Sequence, residues 1–583
     1  MRDDDLLSRL RAGESFEDRT LTGLDLRGED LRGARLAKAR LVSVRLDGAV
    51  LRGVDLSETR WADCSLEGAD LEGANLSGSL WVASSLPGAR LAGASLAGAK
   101  LSRSTLTGAD LRGADLRGAA MPKANLAGAN LAGANLSEGA FPGADLSGAD
   151  LSGATMAKAM LLDADLTGAR FGRAHIEQCV FLRAKMRRAE LEDATVDGSI
   201  FTEADLRGAT LPRSLQKCHF DRALLSRLDV ARRREEGDAS VTEEAGDPER
   251  ADLGGRDLFF GSLRGVCLRG ARLEGANLEM ADLSGCDLEG ATLSGASVKR
   301  AIFAGARLVG VDLHGQDLEM TVLTGADLSG ANLEAARLVM TMLERATLAG
   351  TRLSHAFLWG AHIEGATIEE AVVERTTFKT VDFGASDLKR MRLAGLSLHR
   401  CSFVRADLRG VSLAGCDLTH ADFTDADLAG ASLKDAIVTQ ANFQRARLEA
   451  ADLSGVQGKG AFFGQARMSA ARLPGARLRY ASFAGAQTEN ALFSSADLRE
   501  TMWTRAQAKG ARFSSARLHH ADLSHADVRE ADFSSAVLSG ALLHDVRDAG
   551  AVWVGADLAG VRRTDVDRLE AEAYRPPPRK QSA

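Results

Sequence analysis

A five-residue repeat runs through almost the whole chain. Every fifth position holds Leu, Phe or a close substitute, first between Phe16 and Leu211 and again between Leu253 and Leu558. A typical unit reads Ala-Asp-Leu-Arg-Gly, at residues 109–113. A period this short and this regular leaves no room for the mixed elements of an ordinary globular domain. It predicts a solenoid with one continuous core.

Side-chain alternation predicts which positions of a unit face inward. In extended backbone, the central Leu and the small residue two positions before it share one side, and the polar residue between them faces outward. The Gly that ends many units suits a corner, because it adopts conformations that a Cβ would strain. Each unit therefore predicts one short side and one corner, and leaves the number of sides per turn open.

A second period, of 20 residues, indicates the number of sides. Large aromatic rings recur at this spacing in two series. The first contains Phe383, Phe403, Phe423, Phe443, Phe463, Phe483 and Trp503, and the second contains Phe493, Phe513, Phe533 and Trp553. If like rings stack in successive turns, one turn has 20 residues, or four units. The sequence therefore predicts a four-sided, all-β coil.

These units resemble those of the pentapeptide repeat family, whose pattern is Ala, then Asp or Asn, then Leu and two further residues. The resemblance implies a right-handed quadrilateral parallel β-helix. Residues 11–16 and 24–28 are similar to the start of pentapeptide repeat proteins encoded beside type VI secretion systems. That similarity implies an accessory role in a bacterial secretion apparatus. Short family members that protect or inhibit DNA gyrase imitate duplex DNA, which gives an alternative function.

Breaks in the period predict an all-β solenoid in two segments, with short capping and inserted helices. The five segments are residues 1–15 (N-terminal cap helix), 16–213 (first β-helix), 214–251 (insertion), 252–560 (second β-helix) and 561–583 (C-terminal cap and Pro-rich basic tail). Within the insertion, residues 220–236 predict an amphipathic helix and residues 237–250 an acidic mobile loop. Leu211 and Leu253 are not a multiple of five apart, so the two coils are expected to be separate or joined at a kink.

Charge and cysteine content exclude several classes of protein. The net charge of −7 is mild, and it predicts neither direct nucleic-acid binding nor an extreme acidic mimic. The seven cysteines have no disulfide or zinc spacing, and five of them take the small position of a unit.

The N-terminus lacks a signal-peptide pattern, and no apolar run is long enough to span a bilayer. We therefore expect a cytoplasmic protein without membrane insertion.

Two apolar stripes on outward positions are the candidate site. Its residues are Met160, Leu162, Val180, Leu182, Ile200, Phe259, Phe260, Met280, Met320, Val322, Val339, Met340, Met342, Phe357 and Trp359. Aligned Met, Phe and Trp side chains make contiguous patches, and Met adapts to different partners. Three explanations remain open: burial under the inserted helix or between the coils, docking of another protein, and a homodimer seam. A non-enzymatic protein-binding scaffold or adaptor is the favoured function.

Residues for catalysis or metal binding are sparse. Four histidines come close together in a four-sided coil, namely His519, His520, His525 and His544. No acidic or thiol partner stands at ligand spacing from them, so exposed histidines are favoured over a metal site. The many Asp residues recur as an outward repeat position rather than as an acid and a base in a cleft. The sequence therefore predicts no enzyme and no cofactor.

Four central positions of the second run lack a large apolar side chain. They are Gly458, Thr488, Ala508 and Asp548. A narrowed or locally distorted coil is expected at these positions. Asp548 is expected to lie in a fraying terminal turn rather than to be a buried acid.

Overall fold

Parallel pairing between residues 20 positions apart builds the fold. In the computed structural model, which describes residues 3–227 and 249–573, Leu41 pairs with Trp61 and Trp61 pairs with Trp81. Isolated bridges, such as the one between Asp110 and Asn130, continue the same spacing. The result is an all-parallel β-solenoid of stacked four-unit turns, which confirms the fold class predicted from the two periods.

The chain divides into two compact units, Met1–Arg307 and Leu308–Ala583. In the first unit, helix α1 (Asp3–Arg11) comes first. The sheet β1-β2-β3-β4-β5 then has the strands Thr20–Thr22, Arg40–Val42, Arg60–Ala62, Leu80–Val82 and Lys100–Ser102. The sheet β6-β7-β8 has the strands Thr155–Ala157, His175–Glu177 and Thr195–Asp197. In the second unit, β9 (Arg337–Val339), β10 (Phe357–Trp359), β11 (Thr377–Lys379) and β12 (Leu398–His399) form one sheet, and helix α2 (Val566–Ala573) follows the last turn.

The backbone geometry of one unit explains its preferred residues. The N–H of Leu111 donates to the carbonyl of Asn130 in the next turn at 2.7 Å. The carboxylate of Asp110 accepts the N–H of Arg112 at 3.2 Å, and Asn at this position closes the same local turn. Gly113 has a φ of 63°, in the left-handed region that glycine adopts without strain. The repeat therefore encodes a ladder, a side-chain-capped turn and a corner.

Stacked aromatic rings fill part of the core, as the 20-residue period predicts. Phe443 stacks on Phe423 with 4.8 Å between ring centroids and on Phe463 with 4.9 Å, and both pairs are nearly parallel. In the first unit, Trp61 and Trp81 stack at 4.2 Å. The indole N–H of Trp61 donates to the hydroxyl of Thr59 at 2.7 Å, so this buried ring leaves no unpaired donor.

The break in the five-residue period does not end the coil, and the predicted helix at residues 220–236 is wrong over its first residues. Leu215, Phe220 and Leu225 are buried core residues that keep the five-residue spacing after the loss of one position. The ring of Phe220 stacks on that of Phe201 at 5.0 Å. His219 then bridges to Ser262, 43 positions later instead of 20, and both residues belong to the first unit. The rest of the predicted helix and most of the acidic loop lie outside the described residues.

Helix α2 does not cover the C-terminal end of the coil as a cap would. None of its residues is buried, and Val566 is mostly exposed. Trp553 and Leu558, which occupy core positions of the last turn, stay partly exposed. The helix instead contacts the side of the coil through polar groups that are described below. The basic tail after residue 573 lies outside the described residues.

All seven cysteines are expected to be unreactive in the folded protein. Each one is buried with a free thiol. Burial raises the pKa of Cys179 to about 11 and the pKa of Cys218 and Cys401 to about 12, so the nucleophilic thiolate is scarce at neutral pH. A thiol-reactive dye should label none of them in the native protein within minutes and all seven in denaturant. Rapid native labelling of any cysteine would contradict the burial described here.

Candidate protein-binding surfaces

The first candidate surface, the unit 1 face, consists of Met160, Leu162, Val180, Leu182 and Ile200. Parallel bridges join Met160 to Val180 and Val180 to Ile200, so these side chains lie on three successive turns of one side. The central residues between the outward ones are buried, because alternation points them into the core. Met160 is exposed, and the other four are half-buried. The structure therefore brings this part of the predicted site together.

The second surface of the first unit is smaller. Phe260 is 52% exposed, and its ring lies 5.7 Å from that of the half-buried Phe259 in an edge-to-face arrangement. Met280 is half-buried. Phe260 and Met280 occupy the same position in consecutive 20-residue turns.

The third surface, the unit 2 patch, consists of Met320, Val322, Met340, Met342, Phe357 and Trp359. Phe357 and Trp359 are the outward residues of β10, on either side of the buried Leu358. Val322 bridges to Met342 on the next side around the turn. All six except Val322 are exposed large side chains, and the Lys379 ammonium lies 5.5 Å from the centroid of the Trp359 ring. The patch is thus apolar with a cation at one margin.

Val339 is not part of this surface, contrary to the prediction. It is only 6% exposed. Val339 pairs in register with Trp359 in the next turn, and the larger indole stands beside the shorter valine. Sequence spacing placed both residues outward, but it did not account for the difference in side-chain size along the ladder.

Four of the predicted surface residues have unusual backbone conformations. Phe260, Met280, Met320 and Met340 have φ between 52° and 59°, at corners where glycine is common. The left-handed region is costly for bulky residues, and the other non-glycine corners in the described residues carry mostly charged, polar or small side chains. A large apolar residue at such a corner therefore strains the backbone, and its outward side chain does not add to the core. This pattern favours a role for them on the surface.

Three side chains with metal-ligand chemistry meet in the second unit. The Nε2 atoms of His525 and His544 lie 3.1 and 3.3 Å from a carboxylate oxygen of Glu572 on α2. The Nδ1 atom of His544 accepts the backbone N–H of Asp565 at 3.2 Å. A neutral ring that accepts at Nδ1 carries its proton on Nε2, so His544 has no lone pair there for a metal. The arrangement fits hydrogen bonds better than metal coordination.

Sequence comparison identifies the repeat. The family model described as "Pentapeptide repeats" matches residues 20–53, 49–80, 84–121, 109–148, 124–161, 164–202, 267–305, 306–339, 401–440, 436–473, 491–529 and 511–547. These segments together cover more than half of the chain. The chain belongs to the pentapeptide repeat family. A search of curated proteins found no match.

Several solved pentapeptide repeat structures are similar to this chain. A trypsin-treated variant of QnrB1, a plasmid-mediated fluoroquinolone resistance protein, has 21% sequence identity and a TM-score of 0.25, over 34% of this chain and 98% of QnrB1. HetL, involved in heterocyst differentiation regulation in the cyanobacterium Nostoc, has 27% identity and a TM-score of 0.13, over 43% of this chain and 89% of HetL. A protein of the Arabidopsis thaliana thylakoid lumen has 28% identity and a TM-score of 0.12, over 18% and 68% of the two chains.

Arginine side chains neutralise many of the outward acidic positions of this pentapeptide repeat protein. Arg112 donates two hydrogen bonds to the Asp110 carboxylate, and Arg409 binds Asp407 in the same way. The Arg409 guanidinium, with help from Lys389, holds the pKa of Asp407 well below its ordinary value. Paired acids of this kind do not make the continuous acidic face that a mimic of DNA needs. This pairing disfavours the DNA-mimic alternative, and modulation of gyrase stays a prediction.

One cleft of this pentapeptide repeat protein was not anticipated from the sequence. It has a volume of about 1040 Å³ and lies between residues 370–375 and 390–396 of the second unit. Among the described residues, Val372 and Arg392 form no bridge, although Arg352 and Val372 do. Met391 and Leu396 take the position where most units have Ala, and they flank the unit at which the ladder is interrupted. The signal was thus present in the sequence.

Among residues 3–227 and 249–573, no helix is long and apolar enough to cross a membrane. The cytoplasmic location and the identity of any partner stay predictions.

Proposed function

We propose that this pentapeptide repeat protein is a non-enzymatic scaffold that binds another protein through the unit 2 patch. The observation that carries the proposal is the exposure of Met320, Met340, Met342, Phe357 and Trp359 on neighbouring sides of consecutive turns. Scattered apolar residues are normal on a surface, but a contiguous group of this kind is typical of an interaction site.

The chemistry of the patch fits a protein partner. Methionine side chains are flexible and adapt to an apolar surface, while Trp359 offers a large, rigid anchor of the type enriched at interface centres. Met320 and Met340 keep these side chains at strained corners, where glycine would be more stable in the isolated protein. Such a cost is expected where function rather than folding selects the residue.

Replacing Met340 with Asp tests the proposal. Because Met340 is 51% exposed and Asp tolerates the left-handed conformation, the free energy of unfolding should change by less than about 0.5 kcal/mol. A photo-crosslinking residue at position 359 identifies the partner in the source cells. The affinity of that purified partner should then fall by roughly tenfold or more in the Met340→Asp variant, since a carboxylate at the centre of an apolar interface is desolvated without a partner.

Met502→Asp is the matched control. Met502 is 50% exposed in the same unit, but it bridges to Ser482 and Asp522 rather than to apolar residues. The Met502→Asp variant should lose neither stability nor affinity for the partner. If Met340→Asp unfolds the protein, the patch serves internal packing. If the variant folds and binds as tightly as the Met502→Asp control, the unit 2 patch is not the binding site.

An accessory role in type VI secretion is a narrower form of this proposal. It is supported by the similarity of residues 11–16 and 24–28 alone. Recovery of a secretion component or effector by the crosslink at position 359 would support it, and recovery of an unrelated protein would contradict it.

A further inference from the structure

Helix α2 is attached to the coil by an arrangement of polar groups that contains two histidines. His525 lies at one corner of the coil, and the buried His544 lies one turn later. Their rings meet edge to face with 5.2 Å between centroids. Glu572, on α2, faces both rings. Since no residue of α2 is buried, these polar contacts carry much of the attachment.

Both ring nitrogens of His525 face carboxylates. Nδ1 lies 3.1 Å from a carboxylate oxygen of Asp545, and Nε2 lies 3.1 Å from one of Glu572. A neutral imidazole has one N–H and one lone pair, so one of these contacts would place a lone pair against a negative oxygen. The imidazolium form donates to both carboxylates. The geometry therefore fits the protonated ring and not the neutral one.

His544 fits the same site in its neutral form. Its Nδ1 accepts the N–H of Asp565, and its Nε2 donates to Glu572. The second oxygen of Glu572 accepts the Nε–H of Arg568 at 2.7 Å, a bond within α2. Arg568 holds the pKa of Glu572 below its ordinary value, so this carboxylate stays ionised throughout the range in which histidines titrate.

We propose that protonation of His525 docks α2 on the side of the coil and that loss of this proton releases the helix. The charged and titratable groups around His525 include Asp545 from the following turn, Glu572 from α2 and the ring of His544, and Arg505 occupies the same corner one turn earlier. Docking is stronger when the proton is bound, so it weakens as pH rises and the ring loses that proton. Helix α2 would thus be held against the coil or released from it according to pH.

A spin label on α2 tests this in the full-length chain. The native cysteines are buried, so a Glu570→Cys substitution on the exposed side of α2 provides one reactive thiol. In metal-free buffer, the immobile component of the label's spectrum should predominate at about pH 5.5 and the mobile component at about pH 8.5. Loss of a charge-assisted hydrogen bond to a partly exposed group should change the ratio of docked to released helix by roughly threefold to tenfold.

Three variants separate the proposal from its alternatives. His525→Gln and Glu572→Gln should leave the label mobile at both pH values, while His520→Gln, at the preceding corner and exposed, should preserve the pH response. Far-UV circular dichroism checks that each variant keeps its coil. An immobile label at both pH values in the metal-free protein would overturn the proposal. So would immobility that requires added Zn²⁺ and disappears with a chelator, because a metal would then hold the helix.

Discussion

Replacing Phe463 with Ala is expected to lower the free energy of unfolding of the surrounding turns by about 3–5 kcal/mol. Phe463 is fully buried, and its ring stacks on Phe443 at 4.9 Å and on Phe483 at 5.0 Å between centroids. Neighbouring rings are fixed by their own turns and cannot move into the space, so a cavity remains. Denaturant unfolding, together with hydrogen exchange of residues 440–485, measures the loss.

The adjacent residue provides the control. Phe462 has the same side chain but faces outward and is 39% exposed. Its replacement by Ala should cost less than about 1 kcal/mol, as is usual for surface positions. Equal losses at positions 462 and 463 would mean that inward and outward residues do not alternate as described here.

The core of the coil could be predicted because it depends on two short periods. Alternation places residues such as Leu111 inward, and stacking of like residues needs one fixed number of residues per turn. The rings of Phe403, Phe423 and Phe443 give that number directly, and their observed spacing of 4.7–4.8 Å is one strand separation. Each of these residues contacts the residue at the same position in the next turn. The contacts can therefore be predicted from a fixed sequence spacing alone.

The continuity of the coil past Leu211 could not be predicted by requiring an apolar residue at every fifth position without exception. One residue is lost before Leu215, and the five-residue spacing then resumes at Phe220 and Leu225. The same apolar residues fit the period of a helix over a short window, so the pattern alone does not separate the two structures. The spacing of Phe181, Phe201 and Phe220, with one position missing, was the available signal.

The candidate site was predictable only where the repeat itself defines the outward positions. Met340 and Trp359 are exposed as expected, because their turns follow the standard unit. Val339 is buried although its ladder position faces outward, next to the larger Trp359, and register alone does not give this difference in exposure. Glu572 was missed because α2 lies outside the repeat, and no spacing connects it to His525 and His544.

Replacing Gly458 with Leu is expected to destabilise the second unit by about 1–3 kcal/mol, although it restores the usual residue of the repeat. A Cβ atom at Gly458 would lie 2.7 Å from Cγ2 of Val438 and 2.8 Å from Cδ2 of Leu478, closer than packed carbon atoms come. The neighbouring side chains therefore already fill this space. The bridges from Ile437 to Gln457 and on to Arg477 continue through the position, so the ladder is not interrupted there.

A second substitution distinguishes crowding from a requirement for glycine in the backbone. The φ of Gly458 is outside the left-handed region, so the backbone itself does not need glycine there. Adding Val438→Ala to Gly458→Leu removes the nearest methyl group, and the double variant should recover at least about 1 kcal/mol of the loss expected from the two single changes. Denaturant unfolding of the four proteins measures this coupling. Coupling of this size would show that a consensus residue can replace a core exception only where the turns above and below leave room, whereas strict additivity would contradict crowding by Val438.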